Sequence, residues 1–221
     1  MRSKATHSLS SVTTSVANDR KNIDPNIWGP PMWNMLFTFA FALREDSLVP
    51  LQRLFLLLEH LLPCAEGRRS YIVFRARLDP GALITLSDSN SAAKWLWSIH
   101  DMVNQKLGKL AIGYEQLETR FHIFGCMASD QQVLHILSLI CIQFSSRKKE
   151  KVEMFVTCVI RLMQLSKCGF VLPRLLEANL KRTNTILEAL FATSNELRTA
   201  MGTTPFHAQD DFVASYNRAF D

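Results

Sequence analysis

In every long segment of this 221-residue chain the apolar residues recur at spacings of three and four. Side chains at those spacings share one face of an α-helix. No Asn-Gly or related pair separates two alternating runs, so nothing signals a β-hairpin. Only 8 glycines and 8 prolines punctuate the chain. The periodicity therefore predicts an all-α fold, with helices joined by short links.

The stripes divide the chain. Met35, Leu36, Phe39 and Leu43 mark a first helix that Pro30 and Pro31 suit as an opening turn. Pro50 opens a second, to about Leu62, with Leu51, Leu54, Phe55 and Leu58 inward. Cys64 to about Arg77 reads as a third, and Asp79 to Gly81 (D-P-G) as a turn. Ser89 or Ser91 caps a fourth, with Trp95, Val103 and Leu107 along its apolar side. Beyond it, Val133, Ile136, Leu137 and Ile140 form one stripe, and Val152, Phe155, Val156, Val159 and Met163 another. Pro173 starts a long helix carrying Leu175, Leu176, Leu180, Thr183, Ile186, Leu187 and Leu190, and Ser194 suits the cap of a short last one. The expected organisation is a disordered tail over 1–24, a four- or five-helix bundle over 25–115, a further helical layer over 127–201 and a loose tail over 202–221.

Charge and cysteine content narrow the function. The formal charge is +5, with its basic residues scattered except for Arg147 to Lys151. That run falls between two apolar stripes and reads as a solvated link, without the aromatic interleaving of a nucleic-acid site. The longest apolar run, Met35 to Leu43, is too short to span a bilayer, and the Ser/Thr-rich start has no apolar signal core. Neither a nucleic-acid nor a membrane partner is expected. Five cysteines, Cys64, Cys126, Cys141, Cys158 and Cys168, include no C-x-x-C pair. Their odd number and wide spacing argue against a disulfide framework and for a reduced chain in the cytoplasm. Cys141 and Cys158 fall on apolar stripes and read as buried small hydrophobes.

The stretch from Trp95 to Lys109, W-L-W-S-I-H-D-M-V-N-Q-K-L-G-K, carries the chemistry. His100 and Asn104 lie four apart on one helix face, Gly108 is a helix stop, and Lys106 and Lys109 sit at its end. Such a helix can hold an aromatic, phosphate-bearing ligand, or it is an amphipathic helix with a solvated polar face.

This stretch resembles the flavin-binding helix of the Erv/ALR sulfhydryl oxidases, W-L-C-x-x-H-N-x-V-N-x-x-L-G-K. Upstream, W-G-P-P-M-W at Trp28 to Trp33 is similar to the family's W-G-x-x-x-W. L-P-C-A-E-G-R-R-S-Y at Leu62 to Tyr71 is similar to its redox segment, y-P-C-x-x-C-R-x-H-Y. The resemblance implies a helical bundle that holds FAD and passes electrons from protein thiols to oxygen. It makes Cys64 the candidate catalytic residue, at an exposed helix N-terminus that lowers its pKa. It makes Trp28, Gly29, Trp33, Phe37, Trp95, His100, Asp101, Asn104, Lys106 and Lys109 the candidate cofactor contacts. A C-terminal helical extension on such a core is most familiar from large DNA viruses. That implies protein thiols or virion proteins as partners, a homodimer, and the host cytoplasm or virion as location.

The departures from the family pattern are as informative. The C-x-x-C reads Cys64-Ala65-Glu66-Gly67, so the cysteine that would face the flavin is Gly67. Phe37 and Ser70 stand where the family has histidines, Asp101 where it has an asparagine, and Trp97 where some members have a cysteine. A lone Cys64 forms a mixed disulfide but has no neighbouring thiol to resolve it. Two functions follow: an FAD-linked sulfhydryl oxidase with an impaired redox centre, or a redox-silent helical scaffold. Cys126 and Cys168 are the available replacements for the lost thiol.

Overall fold

The computed structural model describes residues 23–42, 44, 48–78, 81, 83 and 85–217, and these residues form helices without a strand. Of the tail expected over 1–24, residues 1–22 lie outside them, as do Leu43 and Asp79 and Pro80 of the expected turn, whereas Ile23 is buried and Asp24 caps the first helix. The N-terminal half contains α1 (Pro25–Phe41), α2 (Leu48–Leu61), α3 (Ala65–Arg77), α4 (Ser89–Lys106) and the shorter α5 (Tyr114–Phe124). The C-terminal half contains α6 (Asp130–Phe144), α7 (Lys149–Leu165), α8 (Leu172–Leu180), α9 (Ile186–Ala200) and α10 (Gln209–Asn217).

α1 and α2 lie between the two halves. α1 packs against α4 and α5 on one side and α6 on the other, and α2 packs against α3 and α7. One continuous apolar cluster results, running from Ile23 to Phe212. This position explains the composition of α1, where Met35, Leu36, Phe37, Thr38, Phe39 and Ala40 are buried in succession. A helix covered all round has no polar face to display. The polar exception, Thr38, is fully buried because its hydroxyl accepts the backbone N–H groups of Met127 (3.1 Å) and Ala128 (2.9 Å). It thereby anchors the link into α6.

Several helix ends differ from the sequence reading. α1 starts at Pro25, capped by the Asp24 carboxylate, and Pro30 and Pro31 lie inside it. An interior proline costs a helix about 3 kcal/mol. Offsetting it, Ile23 is fully buried and the buried Trp28 donates its indole N–H to the Ile23 carbonyl (3.2 Å). At α4 the cap is Asp88, and Ser91 completes a reciprocal capping box. Leu107, expected inward, is 53% exposed, and Leu96 and Ile99 fill the core instead.

The long helix expected from Pro173 is two. Thr183 turns back to the Asn179 carbonyl, and Thr185 caps α9 with Glu188 in return. The apolar spacing runs through the break because α8 and α9 fold against each other. Ser194 caps nothing; it is buried within α9. The stretch expected as a loose tail holds α10, whose Phe212 is fully buried against Phe191, Phe206 and Tyr216. Burying a phenylalanine contributes roughly 1.5–3 kcal/mol, enough to dock a short helix whose periodicity is too brief to read.

Within the basic run Arg147 and Lys149 are exposed, as a solvated link requires, but Lys148 is half-buried. Lys148 donates to the His60 carbonyl (2.8 Å), fastening the start of α7 to the end of α2. The expectation of a fully reduced chain is corrected as well. Cys126 and Cys168 are joined by a disulfide, with Cα atoms 5.8 Å apart. Neither cysteine sits in a helix, and their 42-residue separation hides a pairing that only the packing of α6, α7 and α8 creates. Cys64, Cys141 and Cys158 are free and buried.

Candidate functional site

The candidate residues stand on three helices: α1, the start of α3, and α4 with the turn after it. Cys64 is the N-cap of α3, and its Sγ accepts the Gly67 N–H (3.1 Å). It is only 3% exposed, not the open helix terminus the resemblance implies. Burial pushes its thiol above the ordinary value, against the smaller opposing pulls of the Gly67 N–H and Arg68. A thiol held in that state is a poor nucleophile at neutral pH.

Gly67 faces this sulfur. A Cβ built there would stand 2.8 Å from Cys64 Sγ and 3.4 Å from the Trp28 ring. Trp28 thus closes the α3 side of the site as a wall. Gly29, one residue on, has open space around its Cα.

Farther along α1, Trp33, Phe37 and His100 form a tight aromatic group. The Trp33 and His100 rings are 4.6 Å apart edge to face, Phe37 and His100 5.6 Å, and Trp33 and Phe37 6.0 Å. The group extends through Phe41 to Phe121 (4.9 Å) and Tyr114 (6.2 Å). The sequence reading missed Phe41 and the α5 aromatics, although 33, 37 and 41 share a helical spacing of four. His100 is held below its ordinary pKa, first by burial and then by Lys109, with Asp101 opposing.

The remaining candidates point in several directions. Asn104 is buried, and its backbone carbonyl accepts the Lys109 N–H (2.9 Å) as the chain turns at Gly108 with φ 64°. Lys109 itself is exposed. Lys106 reaches across to α3, where it pairs with Glu66 and donates to the Ser70 hydroxyl (2.7 Å). Glu66 is held below the usual carboxylate range, chiefly by its hydrogen bond from Lys106. Asp101 accepts from Gln105 (2.6 Å), while its buried Oδ1 has no hydrogen-bond partner. Trp95 is a core residue stacked on Phe55 (5.0 Å). Trp97 donates to the Ile112 carbonyl (2.7 Å), holding the link between α4 and α5.

As they stand, the rings of Trp33, Phe37 and His100 leave no gap between them for the flat ring of the FAD that the resemblance implies. A flat ring sandwiched between two others needs about 7 Å between their planes, twice an ordinary carbon contact. The Trp33, Phe37 and His100 rings are already in contact with one another. Of the two lysines expected to meet phosphate, Lys106 is engaged by Glu66 and Lys109 is exposed, and the Trp28 ring stands 3.4 Å from where a Cβ on Gly67 would lie. A shallow groove of about 460 Å³ between α3 and α4 is lined by Glu66, Ser70, Phe74, Met102, Gln105 and Lys106; the rings of Trp33, Phe37 and His100 lie outside it. Among the described residues no cluster of His, Cys, Asp and Glu could hold a metal ion, and no helix is long and apolar enough to cross a membrane.

Cys126 and Cys168 do not complete the site. Gln143, near the C-terminal end of α6, donates to the Pro63 carbonyl (2.8 Å) beside Cys64. Asp130, at the other end, accepts from Val171 (3.1 Å) and Leu172 (3.0 Å) beside Cys168. At 1.5 Å per residue, about 20 Å of helix separates these two points.

Comparison with known families returns the Erv1 / Alr family, whose model matches residues 30–122. The matched segment is therefore similar to the FAD-linked sulfhydryl oxidases. It contains Trp33, Cys64, Gly67, His100 and Asn104, and ends within α5. No curated protein and no solved structure matches the chain.

Proposed function

We propose that the chain is an Erv1/Alr-type protein whose thiol-oxidising centre is silent and which serves as a helical scaffold. The observation that carries this reading is the environment of Cys64. Its sulfur is buried, poorly ionised and without a second thiol, since Gly67 offers only a backbone N–H. Oxidation of a dithiol by exchange requires one sulfur to be attacked and a second to displace it. Cys64 alone stops at the mixed disulfide. The contact of Trp33, Phe37 and His100 supports the same reading from the cofactor side.

The reading extends to partners. Virion proteins and a second copy of the chain are the partners proposed for such a scaffold, in the cytoplasm or virion of a large DNA virus system. Leu110 at 92%, Phe124 at 71% and Ile123 at 69% exposure provide apolar surface that a partner can cover.

A second reading, an FAD-linked oxidase with residual activity, is favoured by the retention of Trp33, His100 and Asn104 in the matched segment. The visible absorption spectrum of the purified protein, together with oxygen consumption in the presence of a small dithiol, separates the two. A colourless protein without dithiol-dependent oxygen uptake is the expected result. Flavin bound one to one, released by replacing His100 and Asn104 together with alanine, and enzyme-like turnover would overturn the scaffold.

A further inference from the structure

Two loops meet at the N-terminal end of α6, and the meeting is made twice. The disulfide joins Cys126, just after α5, to Cys168, just after α7. Independently of sulfur, the Asp130 carboxylate accepts the backbone N–H groups of Val171 and Leu172. Both cysteines are half-buried. Each follows or precedes a glycine in the left-handed region, Gly125 at φ 71° and Gly169 at φ 66°. Within three residues lie exposed Ile123, Phe124 and Val171, the last at 52%.

We propose that Cys126 and Cys168 form an intermolecular thiol–disulfide exchange site, closed by a separate disulfide-donor protein and not by this chain's own Cys64. Every disulfide needs an oxidant, and an internal relay needs attacking sulfur and target sulfur within bonding reach. Here about 20 Å of α6 separates Gln143, fastened beside Cys64, from Asp130, fastened beside Cys168. The inference rests on the silent-centre reading in one respect: a second copy is not the donor, because its Cys64 is equally buried and alone.

The exchange balances with the donor as oxidant. One thiolate of the pair attacks the donor's disulfide, forming a mixed disulfide and releasing one donor thiolate. The second cysteine then displaces the other donor sulfur, closing Cys126–Cys168. The two chain thiols lose their protons and an electron pair, and the donor leaves as a dithiol. A separate thiol-oxidising reaction must regenerate it. The Asp130 bridge keeps the second thiol in place for resolution, which is the provision Cys64 lacks. The exposed apolar residues give the donor's flanking chain a surface to cover.

The test starts from fully reduced protein freed of reductant, with glutathione disulfide as the donor probe. Alkylation and peptide mass spectrometry follow the loss of the two labelled thiols. Closure should require glutathione disulfide, at a rate proportional to its concentration, and air-saturated buffer with added FAD should leave both thiols alkylatable. Asp130→Ala should make the mixed disulfide with glutathione accumulate. Failure of glutathione disulfide to close the pair would overturn the proposal. Donor-independent closure that survives Cys64→Ser would overturn it alone, whereas donor-independent closure abolished by Cys64→Ser would overturn it together with the silent-centre reading.

Discussion

Cys64 Sγ lies 2.8 Å from the point where a Cβ on Gly67 would stand. Across a disulfide, a Cβ and the far sulfur are about 3 Å apart. The backbone of α3 thus still holds the geometry of a Cys-x-x-Cys disulfide, with one side chain removed. Any other side chain at this position meets the Cys64 sulfur as a clash, whereas a cysteine meets it as a bonding partner.

Gly67→Cys should therefore form a disulfide between Cys64 and the introduced thiol with little backbone change. In the chain-entropy account, closing so short a loop stabilises by about 2 kcal/mol. Loss of the alkylatable Cys64 thiol, and a reductant-induced fall in the denaturation midpoint larger than the one that reducing Cys126–Cys168 causes in the parent chain, would be the signatures. A variant that keeps both thiols free under oxidising conditions would count against the geometry.

Thr38→Val should destabilise the protein by roughly 2–4 kcal/mol. The change preserves shape but leaves the buried Ala128 N–H and the part-buried Met127 N–H without an acceptor, each costing about 1–3 kcal/mol, less where water can reach the group. Urea denaturation measures it. A loss below about 0.5 kcal/mol would show that these groups find other partners.

Phe212→Ala should release α10. The ring is fully buried among Phe191, Phe206 and Tyr216, and removing such a ring costs about 3–5 kcal/mol when the fold stays intact. α10 lies near the end of the described chain, so it can detach locally at a smaller cost. Limited proteolysis should then cut after Gly202 while the remaining helices resist. Unchanged proteolysis would contradict the docking role.

Acid should weaken the fold through its histidines. His60, His100 and His135 all have pKa values lowered from 6.5, each first by burial. A depressed value in the folded state means that, as pH falls below 6.5, the unfolded chain takes up protons first. Stability then declines until the folded pKa values are reached. Around His60, Lys151, Lys148 and Arg75 add to the depression and Glu59 opposes it. Glu66 adds a loss at lower pH: its depressed carboxyl contributes above 4.5 and ceases to as pH falls through the folded value. Denaturation midpoints across this range test the direction. A stability that rises from about pH 7 to about pH 5 would contradict it.

The helical class, the stripes of α2, α6 and α7, and the missing second thiol are legible in the order of residues alone. These are local properties: a spacing of three or four residues sets a helix face whatever it packs against, and Gly67 is a glycine in any fold. Packing between distant segments set the rest. Asp88 outcompeted its serine neighbours as a cap, and Trp28 and Ile23 drew α1 back past two prolines, because burial outweighs local preference. The break between α8 and α9 was hidden because both arms of a helical hairpin carry the same apolar period. The burial of Cys64, the closure of Trp33 on His100 and the partnership of Lys106 with Glu66 depend on helices far apart in sequence. So does the Cys126–Cys168 bond, since no spacing along a chain reports which two loops three packed helices will bring within 5.8 Å.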